Sequence, residues 1–194
     1  RRGITGFEPT GLHALFKGLW GEVADDLSLE SVGKSIARRT TVQWPDDEDV
    51  KQAVLSRSLA GTRIMKYLAN ERDRSLPGDN PSDEPTLEHI LPRSYEEGGP
   101  WVENFTKEQH KRLKDVWANL IPLSGPLNEK LQRSAYAVKK KRYRDESMFV
   151  TPRAVADRWE QWTPEAIAER GRDLADWAVQ RWSYGPGHPE FSDG

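Results

Sequence analysis

The sequence has no cysteine among its 194 residues, so it can form neither a disulfide nor a zinc site with thiolate ligands. It also lacks any run of about 18 apolar residues, which a membrane-spanning helix would need. The segment from Arg1 to Thr5 contains neither an initiator methionine nor the apolar stretch of a signal peptide. We therefore expect a cytoplasmic domain cut from a longer protein.

Apolar residues are scarce, because 36% of the chain is hydrophobic and 31% is charged. The eight tryptophans must supply much of the core, since one indole ring buries a large area. The net charge of −2 argues against a globally basic nucleic-acid binder, yet positive charge gathers between Lys130 and Arg144. A local basic surface is enough for phosphate contact, although a solvated helix face would have the same composition.

Apolar spacing in the first half predicts helices. The predicted helices cover residues 8–23, Ser28 to Arg38 with Ser28 as N-cap, a segment starting after Asp46 or Asp47, and Arg57 to Arg72. None of these segments shows a chemical motif. We interpret the first half as a helical scaffold.

A loop rich in proline and glycine over 76–85 separates this scaffold from the second half. Beyond it the patterns predict strands from Thr86 to Leu91 and from Asn119 to Leu123. One helix is predicted to start at Thr106, with Gln109 completing a capping box. Further helices are predicted from Leu127 to Tyr143, after Thr151 and after Thr163. The predicted fold is mostly α with a small β hairpin. We divide the chain into a scaffold (1–80), a core that contains both strands (81–148), a helical pair (149–184) and a tail (185–194), packed as one compact domain.

Two short apolar segments carry the residues that could do chemistry. Glu88 and His89 stand side by side in the first segment, Asn119 opens the second, and Asn128 follows at the start of a helical pattern. A ββα-metal hydrolase typically carries a carboxylate, a histidine and two asparagines on two strands and the helix that follows them. The sequence therefore predicts that the helical scaffold carries such a core.

Each of the four residues has a chemical role in this interpretation. Because a free imidazole has a pKa of about 6.5, His89 can accept a proton from water as a general base. Glu88 and Asn128 offer the oxygen ligands that Mg²⁺ or Mn²⁺ accepts. Neighbours on a strand point to opposite faces, so Glu88 and His89 share one site only if the strand ends there, as Pro92 favours. Asn119 would fix the orientation of the imidazole.

Simpler interpretations remain open. An isolated Glu-His pair is usually an ordinary surface feature, Asn119 could form a turn before a strand, and Asn128 could be a helix N-cap. A non-catalytic DNA-binding or interaction module could carry the same residues, and an RNA-directed nuclease would share the chemistry. A chelator separates binding from hydrolysis, because only hydrolysis needs the metal.

The motifs from Glu88 to Pro92 and from Asn119 to Leu123, followed by Asn128, resemble the C-terminal HNH domain of GmrSD-type restriction endonucleases. They are also similar to the nicking domain of phosphorothioation-linked anti-phage effectors of the SspE type. The same resemblance includes Trp117, the region from Lys140 to Tyr143, the helix from Arg63 to Glu71, and a closing helix with Arg170, Leu174 and Trp182. Arg93 departs from the pattern, in which glutamine commonly follows the proline, and Glu88 stands where aspartate is often found.

The resemblance implies a metal-dependent DNA endonuclease, in its nicking form, that acts in defence against phage. It implies DNA as a partner, together with an N-terminal domain of the same protein that hydrolyses nucleotides and senses DNA modification. The general base falls on His89, and the catalytic asparagines fall on Asn119 and Asn128. For contacts to the phosphate backbone we predict Lys139, Lys140 and Arg142, which would make binding independent of sequence and sensitive to salt.

Overall fold

The computed structural model describes residues 1–7, 11–38, 42, 44–79, 81 and 84–183. The chain forms two compact units, Arg1–Val50 with Trp177–Gly194 and Lys51–Asp176. Helices predominate in the described residues, and two strands form a small antiparallel sheet, which confirms a mostly helical fold with one small β element. Within the same residues, none of the helices has the length and apolar character that crossing a bilayer requires.

The first unit contains short helices whose starts follow from local capping. Its elements are α1 (Arg2–Thr5), α2 (Leu12–Val23), α3 (Leu29–Ala37) and the first turn of α4 (Asp47–Ser56). The Ser28 hydroxyl accepts a hydrogen bond from the Ser31 amide at 3.1 Å, and the Asp46 carboxylate accepts one from the Asp49 amide at 2.7 Å. Both predicted N-caps are therefore confirmed. The predicted start of the first long helix, at residues 8–10, lies outside the described residues.

The second unit contains the sheet and the helices around it. Its elements are the end of α4, α5 (Arg63–Arg74), β1 (Thr86–His89), α6 (Lys107–Leu113), a 3-10 turn (Trp117–Asn119), β2 (Leu120–Leu123), α7 (Gly125–Leu131), α8 (Tyr136–Glu146), α9 (Val150–Arg158) and most of α10 (Pro164–Arg181). The capping box of Thr106 and Gln109 is present, as predicted. Thr163 also accepts a hydrogen bond from the Ala166 amide at the start of α10, as predicted.

The sheet lies in the middle of the second unit. Strands β1 and β2 run antiparallel with Thr86 opposite Leu123 and His89 opposite Leu120. β1 ends earlier than the sequence predicts, but the Ile90 amide still donates to the Asn119 carbonyl at 3.0 Å. Helices α5 and α9 contact β2, and α7 contacts β1. His89 therefore stands at the end of a short strand whose partner strand is completely buried.

Two helix predictions are wrong in their bounds. The helix predicted from Arg57 begins only at Arg63. The helix predicted from Leu127 to Tyr143 is two helices, because Gln132 adopts a φ of 35° and ends α7. This positive φ is rare for a residue with a side chain and cannot continue a right-handed helix. Asn128 lies inside α7, which excludes its interpretation as a helix N-cap.

The N-terminus of α9 is also capped differently from the prediction. Thr151 was expected to precede the helix, but α9 begins at Val150, one residue before Thr151. The side chain of its N-cap, Phe149, cannot accept a hydrogen bond. Asp73, which is 2% exposed, accepts from the Thr151 amide at 2.6 Å. A carboxylate from α5 thus supplies the cap and interacts favourably with the positive end of the α9 dipole.

We predict that Asp73→Ala lowers the free energy of unfolding by about 1–3 kcal/mol, because the buried Thr151 amide would lose its acceptor. Asp73→Asn keeps an acceptor oxygen and should lose clearly less. Urea denaturation followed by circular dichroism measures both variants. Equal stability of Asp73→Ala and the wild type would contradict this cap.

Candidate active site

The backbone after His89 is held by Asn119, whose side chain is completely buried. Its Oδ1 accepts from the Leu91 amide at 2.7 Å and from the Trp162 indole at 3.0 Å. Its Nδ2 donates to the carbonyls of Leu91 and Lys114, both at 2.8 Å. All four hydrogen bonds of this amide therefore go to the backbone or to an indole. Asn119 positions His89 through the turn that follows it, not through a bond to the imidazole.

The 3-10 turn that contains Asn119 is supported by a buried arginine. Arg170 is 5% exposed, and its guanidinium donates to the carbonyls of Trp117, Ala118 and Leu120. Burial lowers the pKa of Arg170 to about 9. Its hydrogen bonds satisfy carbonyls on both sides of Asn119 and so fix the position of this amide.

The His89 ring faces an acid that the sequence analysis did not identify. Its Nε2 lies 3.2 Å from Asp115 Oδ1, and Arg93 Nε lies 3.3 Å from the same nitrogen. A neutral imidazole cannot donate to the acid and accept from the arginine through one nitrogen. We assign the proton to Nε2, because its bond to a carboxylate is charge-assisted. Nδ1 then carries the lone pair, and it has no hydrogen-bond partner among the described residues.

Burial lowers the pKa of His89 from 6.5, and the charge of Arg93 lowers it further, whereas the hydrogen bond to Asp115 raises it. The net direction is downward. The neutral imidazole therefore persists to a lower pH than in a free histidine. A neutral ring with a free lone pair is the form that a general base requires.

Glu88 lies on the other side of the strand and is bound to α8. Its Oε1 accepts from Lys139 Nζ at 2.7 Å and from the Tyr143 hydroxyl at 2.8 Å. Lys139 and Tyr143 are one helical turn apart, so one face of α8 presents both donors. Lys139 Nζ also donates to the His89 carbonyl at 2.7 Å. Glu88 is 3% exposed, and Lys139 is fully buried.

Desolvation dominates the electrostatics of this pair. Burial raises the pKa of Glu88, while the Lys139 charge lowers it by a smaller amount. Burial lowers the pKa of Lys139 against the opposing effect of Glu88. Each charge is therefore costly alone and is tolerated because the other is present.

Asn128 approaches β1 from α7. Its Nδ2 donates to the Thr86 hydroxyl at 2.9 Å and to the Leu87 carbonyl at 3.1 Å. These bonds leave Oδ1 without a donor among the described residues. A cavity of about 200 Å³ is lined by Glu88, His89 and Asn128 together. The structure thus brings three of the four predicted residues to one cavity and places the fourth, Asn119, behind it.

The basic residues predicted to contact phosphate have other partners in the structure. The ammonium of Lys139 is buried against Glu88. Lys140 forms an ion pair with Glu160, and Arg142 forms one with Glu146, one turn further along α8. The cavity is instead lined by Arg93 and Arg133, which the analysis of the sequence did not select.

The donor set around the cavity fits a hard divalent cation with several water ligands. The described residues contain no group of three or more histidine, cysteine, aspartate or glutamate side chains that could hold a metal. One carboxylate and one amide oxygen, from Glu88 and Asn128, form the kind of sparse oxygen set that Mg²⁺ accepts, because Mg²⁺ retains much of its water shell. Any cation that binds Glu88 has to share this carboxylate with Lys139.

Two of the newly found residues, Asp115 and Tyr143, had a signal in the sequence. Asp115 precedes the apolar segment that begins at Val116, and Tyr143 follows Lys139 at the spacing of one helical turn. Neither signal is specific. Asp115 reaches His89 only because the 3-10 turn returns the chain to the end of β1.

We predict that Lys139→Met lowers the free energy of unfolding by about 3–5 kcal/mol, because it leaves the buried Glu88 carboxylate without its counterion. The double variant Glu88→Gln with Lys139→Met should regain most of this loss, and chemical denaturation measures both. A lysine that only contacted phosphate from the surface would change stability by less than about 0.5 kcal/mol when replaced.

We also predict that Asp115→Asn lowers the pKa of His89 further, because the imidazolium loses a nearby negative charge. Arg93→Gln should have the opposite effect. NMR titration of the His89 ring in metal-free protein measures both shifts. Since the folded pKa lies below the unfolded one, His89 contributes stability above pH 6.5 that is lost as the pH falls below this value. A pKa of His89 unchanged in both variants would contradict the contacts at Nε2.

Comparison with known proteins identifies the family. The family described as GmrSD restriction endonucleases, C-terminal domain, matches residues 44–177, a range that contains β1, β2 and every residue of the cavity. No curated protein matches the chain. Because the match covers well over half of the sequence, this chain belongs to the family of GmrSD restriction endonuclease C-terminal domains.

Proposed function

We propose that this chain is a metal-dependent DNA endonuclease domain of the HNH type that cuts one strand at a time. The observation that carries the proposal is the cavity at the end of β1, where His89, Glu88 and Asn128 meet in a chain of a restriction endonuclease family. The order of β1, β2 and α7 around this cavity is consistent with a ββα-metal core.

His89 is the general base of the proposed reaction. Asp115 holds Nε2–H, so Nδ1 takes a proton from a water molecule as the water oxygen attacks the phosphorus atom. The bond from phosphorus to the 3′ oxygen breaks, and this oxygen gains a proton from solvent. Asp115 also stabilises the imidazolium that forms, in the way that a carboxylate supports the histidine of other hydrolytic sites.

Glu88 and Asn128 are the proposed ligands of Mg²⁺ or Mn²⁺. Bound there, the cation would neutralise charge on the phosphoryl oxygens and assist the leaving group. Asn128 Oδ1 accepts no hydrogen bond from any described residue and is open to this role, because Nδ2 is the atom that binds β1. Lys139 and Tyr143 hold the Glu88 carboxylate in place from the opposite side. Asn119 fixes the turn that carries the base.

The biological setting follows from the family and from the resemblance of the motifs. A restriction endonuclease domain acts on DNA, and the proposed role is defence against phage. In this proposal an N-terminal domain of the same protein hydrolyses nucleotides and senses modified DNA, as in the phosphorothioation-linked effectors. The cutting domain then supplies the hydrolysis itself.

We predict that the protein converts supercoiled plasmid to open circles with Mg²⁺ or Mn²⁺ and that EDTA stops the conversion. His89→Ala should lower the rate by about 100-fold or more, because the water loses its proton acceptor. The matched control is His13→Ala, which replaces an exposed histidine on α2 and should cut like the wild type. Gel electrophoresis of timed samples measures the rates.

Four results would count against the proposal. Full activity of purified His89→Ala would show that His89 is not the general base. Cleavage that continues in EDTA would show that the reaction needs no metal. DNA that is shifted on a gel but never cut, with or without added cation, would favour a binding module, and cleavage of RNA alone would assign the same chemistry to another substrate.

A further inference from the structure

We propose that Arg93 and Arg133 form a phosphate-binding site at the mouth of the cavity that contains His89, and that its ligand is the phosphodiester backbone of DNA. This inference rests on the proposed function, because it names the residues that hold the substrate of that reaction. Both arginines line the same cavity as His89 and Asn128. Both are exposed, so a large polyanion can reach them.

The two guanidinium groups have no acidic partner among the described residues. Three other arginines of this unit are neutralised, because Arg142 pairs with Glu146, Arg144 with Asp157, and Arg158 with Glu169. Arg93 Nε lies 3.3 Å from His89 Nε2, but this nitrogen accepts no hydrogen bond from it because Nε2 carries the ring proton. The N–H groups of Arg93 are therefore open to a ligand. A planar guanidinium fork matches two phosphate oxygens better than a lysine ammonium does.

The backbone on each side of the cavity is fixed before any ligand binds. Pro92, the residue before Arg93, has its carbonyl 2.8 Å from His110 Nε2. On the other side the Trp101 indole donates to the carbonyls of Arg133 and Ser134, at 3.4 and 3.2 Å. Little backbone ordering is therefore needed when phosphate binds, which favours affinity.

The turn that carries Arg133 has an unusual conformation. Gln132 has a φ of 35°, is not a glycine, and also lines the cavity. Strained backbone of this kind persists where the surrounding structure demands it and is found mainly at functional sites. Here it ends α7 and directs Gln132 and Arg133 to the cavity that Asn128 reaches from the helix.

The charge of the cavity suits an anion. Glu88 is the one carboxylate among the described lining residues, and Lys139 already pairs with it. The two arginines therefore leave the cavity positive. A phosphate held by Arg93 would lie close to His89, because the same guanidinium contacts the imidazole. Positive charge at this position would also stabilise the negative charge that develops on the phosphoryl oxygens.

The test is binding of a short fluorescent DNA duplex in EDTA, where no cleavage occurs, over a series of salt concentrations. Each phosphate contact contributes about 0.9 to the slope of log K against log salt concentration. We expect Arg93→Gln and Arg133→Gln each to reduce the slope by about 1, and the double variant by about 2. Arg93→Lys and Arg133→Lys keep the charge and should keep most of the slope.

Arg158→Gln is the matched control, because it removes an exposed arginine that is already paired with Glu169 and Asp173. Its slope should equal that of the wild type. An unchanged slope in the two cavity variants, or an equal loss of slope in Arg158→Gln, would overturn the site. A wild-type protein that binds RNA duplex but no DNA would overturn it as well, and so would DNA binding without salt dependence.

This result is independent of catalysis. A reduced slope in the cavity variants of a protein that never cuts DNA would support the phosphate site and contradict the nuclease. An unchanged slope in the cavity variants of a protein that does cut DNA would contradict the phosphate site without contradicting the proposed nuclease function.

Discussion

The buried amide of Asn119 is the interaction on which the geometry around β1 depends. Its four hydrogen bonds join the turn after His89, the C-terminal end of α6 and the indole of Trp162. Only a side chain with both an acceptor and two donors can make this set. Arg170 supports the same place by satisfying carbonyls on either side of it. The position of His89 therefore depends on a residue that makes no hydrogen bond to its ring, and on helices α6 and α10, which carry none of the proposed chemistry.

A second constraint is the balance of charge inside the site. Glu88 is withdrawn from solvent, and it is stable there because α8 supplies an ammonium and a hydroxyl to the same oxygen. Adjacent residues of β1 point to opposite sides of the strand, so His89 contacts Asp115 and Arg93, whereas Glu88 contacts α8. Both side chains still line the same cavity, because β1 ends at His89 and the chain bends there. A metal bound to Glu88, as proposed, would meet a carboxylate whose charge Lys139 already partly compensates, so Lys139 would weaken the attraction of this carboxylate for the cation.

The sequence allowed local features to be predicted and left contacts between distant segments undetermined. Capping at Ser28, Thr106 and Thr163 depends on neighbours within three residues, and it was predicted correctly. The break at Gln132 has no glycine or proline to announce it, so the apolar period suggested one helix. Lys139 was predicted to contact phosphate, whereas its ammonium is buried against Glu88, fifty-one residues away in the chain. Asp115 was missed because its distance from His89 depends on how the 3-10 turn joins β2.

The break at Gln132 also allows Asn128 and Lys139 to bind carbonyls that lie close together on β1. Asn128 donates to the Leu87 carbonyl, and Lys139 donates to the His89 carbonyl, two residues further along β1. These carbonyls are about 7 Å apart at the rise of a strand. In one straight helix the same two side chains would start from positions about 16 Å apart along the axis. Because α7 and α8 are separate helices, two residues that were predicted to lie in one helix can both bind the backbone of β1 at the candidate site.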